Sequence, residues 1–258
     1  MTKLKQMRVF YYLTIILFLF QHDLTAQQTV SNQELNEING YKYKHIILNC
    51  DSSDNGIPII IGLHWRGSTP NEFGNFLTGF KFPVRLILLQ GQYPDDEVNF
   101  SFFKIIPTDY YTLPTDEKMK NILNEGKKLS EFIKAISTIY KPTKKPVIVG
   151  ASQGGDLSYV IGICYNNLVS LSCPLLATMD NRIVKPLNKK SQRQASKIEV
   201  FHGIADKIVP IDTVRQHIRL LKDCKYKVNL HTYDKNTHSI SNLMMTEFTE
   251  LIDRHLKN

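Results

Sequence analysis

Continuous apolar runs alternate with amphipathic stretches along most of this chain. Short runs rich in Ile, Val and Leu lie at Tyr43–Cys50, Ile57–His64, Val84–Gln90, Pro146–Ser152, Leu168–Ala177, Ile198–Gly203 and Lys227–Tyr233. Several lack polar alternation, which suits parallel strands covered on both faces. Between them the period changes. In Pro114–Tyr140 the apolar residues Met119, Ile122, Leu123, Leu129, Phe132, Ile133, Ile136 and Ile139 recur at helical spacing. Asp116 and Glu117 are placed to favour the start of that helix. Ile211–Cys224 and Ser241–Asn258 read as two more helices, and a further one follows Ser152. Strands alternating with helices predict an α/β fold with a mostly parallel central sheet and helices on both faces. Gly91–Pro114 has neither period. It is rich in aromatics and prolines, and a loop of that length in a compact domain is usually functional or disordered. Its aromatics argue against disorder.

The first residues follow another pattern. MTKLKQMR is basic, Val9–Phe20 is wholly apolar or small, and QHDLTAQQ is polar with small residues. That is the layout of a secretory signal peptide, with cleavage expected after Ala26. The apolar run is short of the ~20 residues a spanning helix needs, although an uncleaved N-terminal anchor is the alternative. The expectation is therefore a single domain over 27–258, exported to a periplasm or the exterior, without stable membrane insertion after processing. The formal charge is +8 over 258 residues. Removing the leader, with Lys3, Lys5, Arg8 and Asp23, leaves +6. The remaining lysines are scattered, and Lys185–Lys197 reads as one solvated loop. No nucleic-acid motif accompanies the charge, so no nucleic-acid partner is expected. Cys50, Cys164, Cys173 and Cys224 match no zinc spacing. An oxidising compartment permits disulfides, but the spacing selects no pair. Cys164 and Cys173 fall on apolar elements, where buried thiols are common.

The candidate chemistry sits where one strand turns into a helix. Gly150-Ala151-Ser152-Gln153-Gly154 fits G-x-S-x-G, in the strand–turn–helix context the motif requires. A serine presented on such a turn stands beside the N–H groups of the helix that begins there. The bland alternative is a glycine-rich turn with an incidental serine. A serine hydroxyl needs a base, and the base an orienting acid. VFHGIADKIVP places Asp206 after one strand, and YDKNTHSIS places His238 after the last. The order Ser, Asp, His and the position at strand carboxyl ends both suit a ligand site in an open α/β sheet. Asp180 is the rival acid. His64 reads as a brace for the loop it begins and His202 as structural. His217, His231 and His255 read as packing or surface residues.

The stretches GASQGG, FHGIADKIVP and THS, with LHWRGSTPNEF as a weaker fourth, resemble the α/β-hydrolase superfamily. The likeness is to its carboxylesterase/phospholipase branch, which includes acyl-protein thioesterases, and it covers roughly residues 57–256. The resemblance implies Ser152 as nucleophile, His238 as general base and Asp206 as its partner. It places the oxyanion donors at the backbone N–H groups of Gln153 and Arg66, and it calls for no metal or cofactor. Two positions depart from the pattern. Trp65 stands where the family has glycine, and Asp156 where a small apolar residue is usual. Asp156 reads as capping or solvating the first helical turn. The Arg66 side chain either enters the pocket, favouring an acidic substrate, or points to solvent. Trp65, a large side chain that would change how its loop turns, is a candidate substrate contact, while Tyr93, Phe102 and Phe103, with Phe100, Tyr110 and Tyr111, either line a substrate subsite or pack the long loop onto the body. The expected activity is cleavage of carboxylic esters, small or polymer-linked, through an acyl-enzyme. A serine peptidase of the same fold and a catalytically silent binding protein remain alternatives.

Overall fold

A computed structural model describes residues 35–50 and 56–257. The leader and its expected cleavage point lie outside the described residues. The strands are β1 (Asn36–Ile38), β2 (Tyr41–Leu48), β3 (Ile59–Leu63), β4 (Val84–Leu89), β5 (Tyr93–Pro94), β6 (Phe100–Ser101), β7 (Val147–Ala151), β8 (Leu171–Leu175), β9 (Lys197–Gly203) and β10 (Val228–Tyr233). The helices are α1 (Pro70–Asn75), α2 (Thr115–Tyr140), α3 (Gln153–Cys164), α4 (Lys189–Gln194), α5 (Ile211–Asp223) and α6 (Asn242–Lys257). One sheet orders the strands β1-β2-β4-β3-β7-β8-β9-β10. β1, β2 and β4 pair antiparallel, and every pairing from β4 through β3 to β10 is parallel. β5 and β6 form a separate two-stranded hairpin.

The apolar runs explain the layering. In β3, Ile59, Ile61 and Leu63 face one side of the sheet and Ile60 the other. The first side is covered by α2, α3 and α5, through Leu129, Phe132, Leu157, Val160, Val214 and Leu221. The second is covered by α1 and α6, through Phe73, Met244, Phe248 and Ile252. Both faces are thus dry, and each fully buried Ile, Leu or Phe contributes about 1.5–3 kcal/mol. α3 runs across the middle of the sheet and is buried all round from Gln153 to Ile163, as a helix without a polar face must be.

Four features were not anticipated, the first being the β5–β6 hairpin inside the segment expected to have no regular structure. β1 adds an antiparallel edge. α1 is a single short helix closed by a capping box: Thr69 accepts from the Glu72 N–H, while the Glu72 carboxylate accepts from the Thr69 N–H. Within the expected solvated loop, Asn188 caps α4, which buries no residue, so the segment is solvated but partly helical. Cys173 and Cys224 are buried free thiols; Cys164, expected to be buried, is an exposed free thiol at the end of α3. No helix of the described residues is long and apolar enough to cross a membrane.

Candidate active site

β7 delivers the chain to Ser152, and the turn there is tight. Ser152 has φ 50° and ψ −114°, a backbone conformation that costs a non-glycine residue on the order of 1–3 kcal/mol. The surroundings enforce it. The Ser152 N–H donates to the Leu175 carbonyl at 2.9 Å, and its own carbonyl accepts from the Asp156 N–H at 2.9 Å. The two flanking glycines are obligatory. A Cβ on Gly150 would strike the Gly154 carbonyl, and one on Gly154 would strike the Leu63 carbonyl where β3 ends. The result is a serine hydroxyl standing clear of the sheet at the N-terminus of α3. The first-turn N–H groups of that helix, Gln153 among them, have no carbonyl one turn back to receive them.

Two loops bring the other groups to it. The loop after β9 carries Asp206, which is buried. One carboxylate oxygen, Oδ1, accepts the N–H groups of Ile208 at 2.8 Å and Val209 at 2.9 Å. The other, Oδ2, lies 2.7 Å from Nδ1 of His238, in the loop after β10. Nε2 of His238 lies 2.9 Å from the Ser152 hydroxyl oxygen. The structure therefore joins three residues that are far apart in sequence. Asp206 accepts from the Nδ1–H of His238, which leaves Nε2 with a lone pair toward Ser152. His202 sits beneath this arrangement, donating Nε2–H to the Val209 carbonyl at 2.8 Å, with Asp206 Oδ2 at 3.4 Å. Burial holds the His202 imidazole below its ordinary value. Asp180 is elsewhere employed, its carboxylate binding the Arg182 guanidinium.

The loop after β3 forms the opposing wall. His64 is buried and accepts the Gly91 N–H on Nε2 at 2.9 Å. Its Nδ1–H therefore donates to the Trp65 carbonyl, at 2.6 Å. Burial lowers its pKa to about 4, so it braces the loop as a neutral ring. The Trp65 indole turns toward α1 and meets Phe73 and Phe76 edge-on. The Arg66 guanidinium neither reaches into the cleft as a lone charge nor points simply to solvent. It binds Asp95 and Asp109 and lies over the Tyr111 ring.

A cleft of about 670 Å³ opens over Ser152 and His238, walled by Trp65, Arg66, Phe76, Tyr111, Leu176, Ile208 and Ile240. Most of that wall is apolar. Tyr93, Phe102 and Phe103, expected as candidate substrate contacts, do not line it. They border a separate polar cleft of about 500 Å³ against α2, beside Asn121 and Glu125. The cause is local. The Phe102 N–H donates to the buried Gln153 side-chain carbonyl at 2.6 Å, which turns Phe102 inward onto His64, while Phe103 stacks on Tyr110. Of the long loop's aromatics, Tyr111 reaches the cleft. Ile208 and Ile240 were not foreseen; each follows a site residue by two positions, a spacing that alone could have flagged them. Among the described residues, no group of three His, Cys, Asp or Glu side chains is arranged to hold a metal.

Asp156 departs from its expected solvated role. It is buried, its carboxylate accepts the Thr178 N–H at 2.9 Å, and burial pushes its pKa up to about 7. A carboxyl raised in the folded state, against about 3.9 unfolded, holds a proton the unfolded chain has lost. Its contribution is complete below about pH 4 and disappears as pH rises through 7. Asp156→Asn keeps the acceptor and removes the charge. Urea unfolding at pH 5 and pH 8 is expected to show wild type losing on the order of 2 kcal/mol more than the variant between the two. Equal losses would show that Asp156 is ionised in both states.

A model of the phospholipase/carboxylesterase family matches residues 51–256. Solved structures share the fold at low identity. A Bacillus cereus carboxylesterase is 16% identical, with TM-score 0.65 over 82% of this chain and 94% of that one. A Mesorhizobium loti carboxylesterase is 15% identical, with TM-score 0.67 over 85% and 99%. A Zea mays acyl-protein thioesterase 2 is 14% identical, with TM-score 0.60 over 83% and 99%. A comparison with curated protein sequences finds no match.

Proposed function

The chain belongs to the phospholipase/carboxylesterase family of hydrolases, and from that premise we propose that it is an exported serine esterase acting through an acyl-enzyme on Ser152. The observation that carries this reading is the continuous contact from Asp206 through His238 to Ser152, at 2.7 and 2.9 Å, at the floor of an apolar cleft. In this reading His238 Nε2 takes the hydroxyl proton as Ser152 Oγ attacks the ester carbonyl carbon. The carbonyl oxygen becomes an oxyanion and is received by the backbone N–H groups of Gln153 and Arg66. Asp206 holds the imidazolium. Collapse breaks the C–O bond to the alcohol, which leaves with the proton from His238. Water, deprotonated by His238, then attacks the acyl carbonyl and frees Ser152 with the carboxylic acid as second product.

The wall of Trp65, Phe76, Leu176, Ile208 and Ile240 favours an ester with an apolar group near the scissile carbonyl. Export rests on the leader, and its test is the N-terminus of the secreted protein, expected at Gln27. Activity is tested with p-nitrophenyl esters of rising chain length and a fluorophosphonate probe. Labelling and turnover are expected in wild type and neither in Ser152→Ala, with kcat/KM rising from acetyl to medium-chain acyl groups. Cleavage of peptide anilides but not esters would point to a peptidase instead. A wild-type protein that is neither labelled nor active would contradict the reading.

A further inference from the structure

The loop that must supply one oxyanion donor has no regular structure of its own between β3 and α1. What holds it is unusual in composition. On one side Trp65, at a position where a small residue would turn more easily, leans on Phe73 and Phe76. On the other side the Arg66 guanidinium is gripped by two carboxylates from different parts of the long loop. Arg66 Nε donates to Asp95 at 3.2 Å, Nη2 to the same carboxylate at 3.3 Å, and Nη1 lies 2.9 Å from Asp109. All three side chains are partly buried, with 19–32% of their surface exposed.

We propose that Asp95 and Asp109 are positioning residues for catalysis: by clamping the Arg66 side chain they hold its backbone N–H at the place where the oxyanion forms. This rests on the serine-esterase reading. Two carboxylates around one guanidinium leave a net negative charge, a poor arrangement for binding an anionic substrate and a good one for fixing a fork of donors. A single exposed ion pair would be worth little, but this clamp is braced on every side. The Gly67 N–H donates to the Phe100 carbonyl at 3.0 Å, and the Phe100 N–H to the Ser68 carbonyl at 3.0 Å, so the β5–β6 hairpin that carries Asp95 is itself paired with the loop. Asp109 is fixed by the Tyr111 N–H at 2.9 Å. Tyr111 lies beside the guanidinium, 5.5 Å from its ring centre to Cζ, and its hydroxyl accepts from the Gln153 side chain at 3.4 Å. Ser101, at the end of β6, accepts from the same Gln153 amide at 3.0 Å. One segment therefore grips the side chains of both residues whose backbone N–H groups are proposed to receive the oxyanion.

The test uses the full-length processed protein and the variants Asp95→Asn, Asp109→Asn, both together, and Arg66→Lys. Each keeps approximate size, but the amide and ammonium groups cannot maintain the charged fork. For p-nitrophenyl butyrate, kcat is expected to fall about tenfold in each single variant and about a hundredfold in the double one, approaching loss of one oxyanion donor, with KM within twofold. A trifluoromethyl ketone, which forms an oxyanion adduct with the serine, should lose affinity in parallel with kcat. A role in packing alone would not move that affinity. An unchanged kcat and unchanged ketone affinity in the double variant would overturn the proposal, as would a fall in kcat that tracks a lowered melting temperature while the ketone binds as before. Either result leaves the esterase reading standing, because that depends on wild-type turnover and its loss in Ser152→Ala.

Discussion

Asp206→Asn is expected to lower kcat/KM about ten-thousandfold while the fold stays intact. The reason lies in the two ends of one carboxylate. Oδ1 must accept two backbone N–H groups, from Ile208 and Val209. An asparagine would satisfy them with its carbonyl and so be forced to aim its NH2 at His238 Nδ1. That nitrogen would then have to accept, and the imidazole proton would move to Nε2, which faces Ser152 at 2.9 Å. A ring protonated there cannot take the hydroxyl proton. Calorimetry should find the melting temperature changed by no more than a few degrees. Activity within tenfold of wild type would mean that Asp206 does not set the tautomer of His238.

Gly154→Ala should remove both stability and activity. Its Cβ would press into the Leu63 carbonyl and come within 2.7 Å of the His64 carbonyl. Those atoms are backbone, at the end of a fully buried strand, and cannot swing away as a side chain would. Either α3 lifts from β3 or the loop carrying Trp65 and Arg66 is displaced. Overpacking of this kind costs about 3 kcal/mol, and the displaced loop is the one proposed to offer a donor to the oxyanion. Urea unfolding and ester turnover measured on one preparation would show the two losses together. A stable, fully active variant would mean that the approach of α3 to β3 is looser than these contacts require.

Much of this architecture is legible in the residue pattern, for a physical reason. Strands buried on both faces need continuous apolar runs, and β3 and β7, with Leu86–Leu89 of β4, have them, so their places in the chain stand out. The serine turn is legible because tight backbone approach leaves few options beyond glycine. Features decided by hydrogen bonds across the chain are not. Phe102 and Phe103 sit in a segment without period, and their direction depends on the Gln153 amide meeting the Phe102 N–H. Arg66 could not be placed because its partners lie about thirty and forty residues away, in that same segment. Asp156 looks like an ordinary first-turn acid until the loop after β8 closes over it and offers the Thr178 N–H. α1 is a different case. Thr69, Pro70 and Glu72 spell a capping box with proline at the first helical position, a signal present in the sequence and outweighed by the shortness of the helix.

The most direct measurement is the mass of the Ser152 peptide after the protein is mixed with p-nitrophenyl butyrate and quenched in acid within the first turnover. A butyryl group on Ser152, formed with a burst of one p-nitrophenol per protein and absent from His238→Ala, is the expected result. Turnover of the ester with the acyl group on another residue would contradict the assignment of Ser152 as the nucleophile.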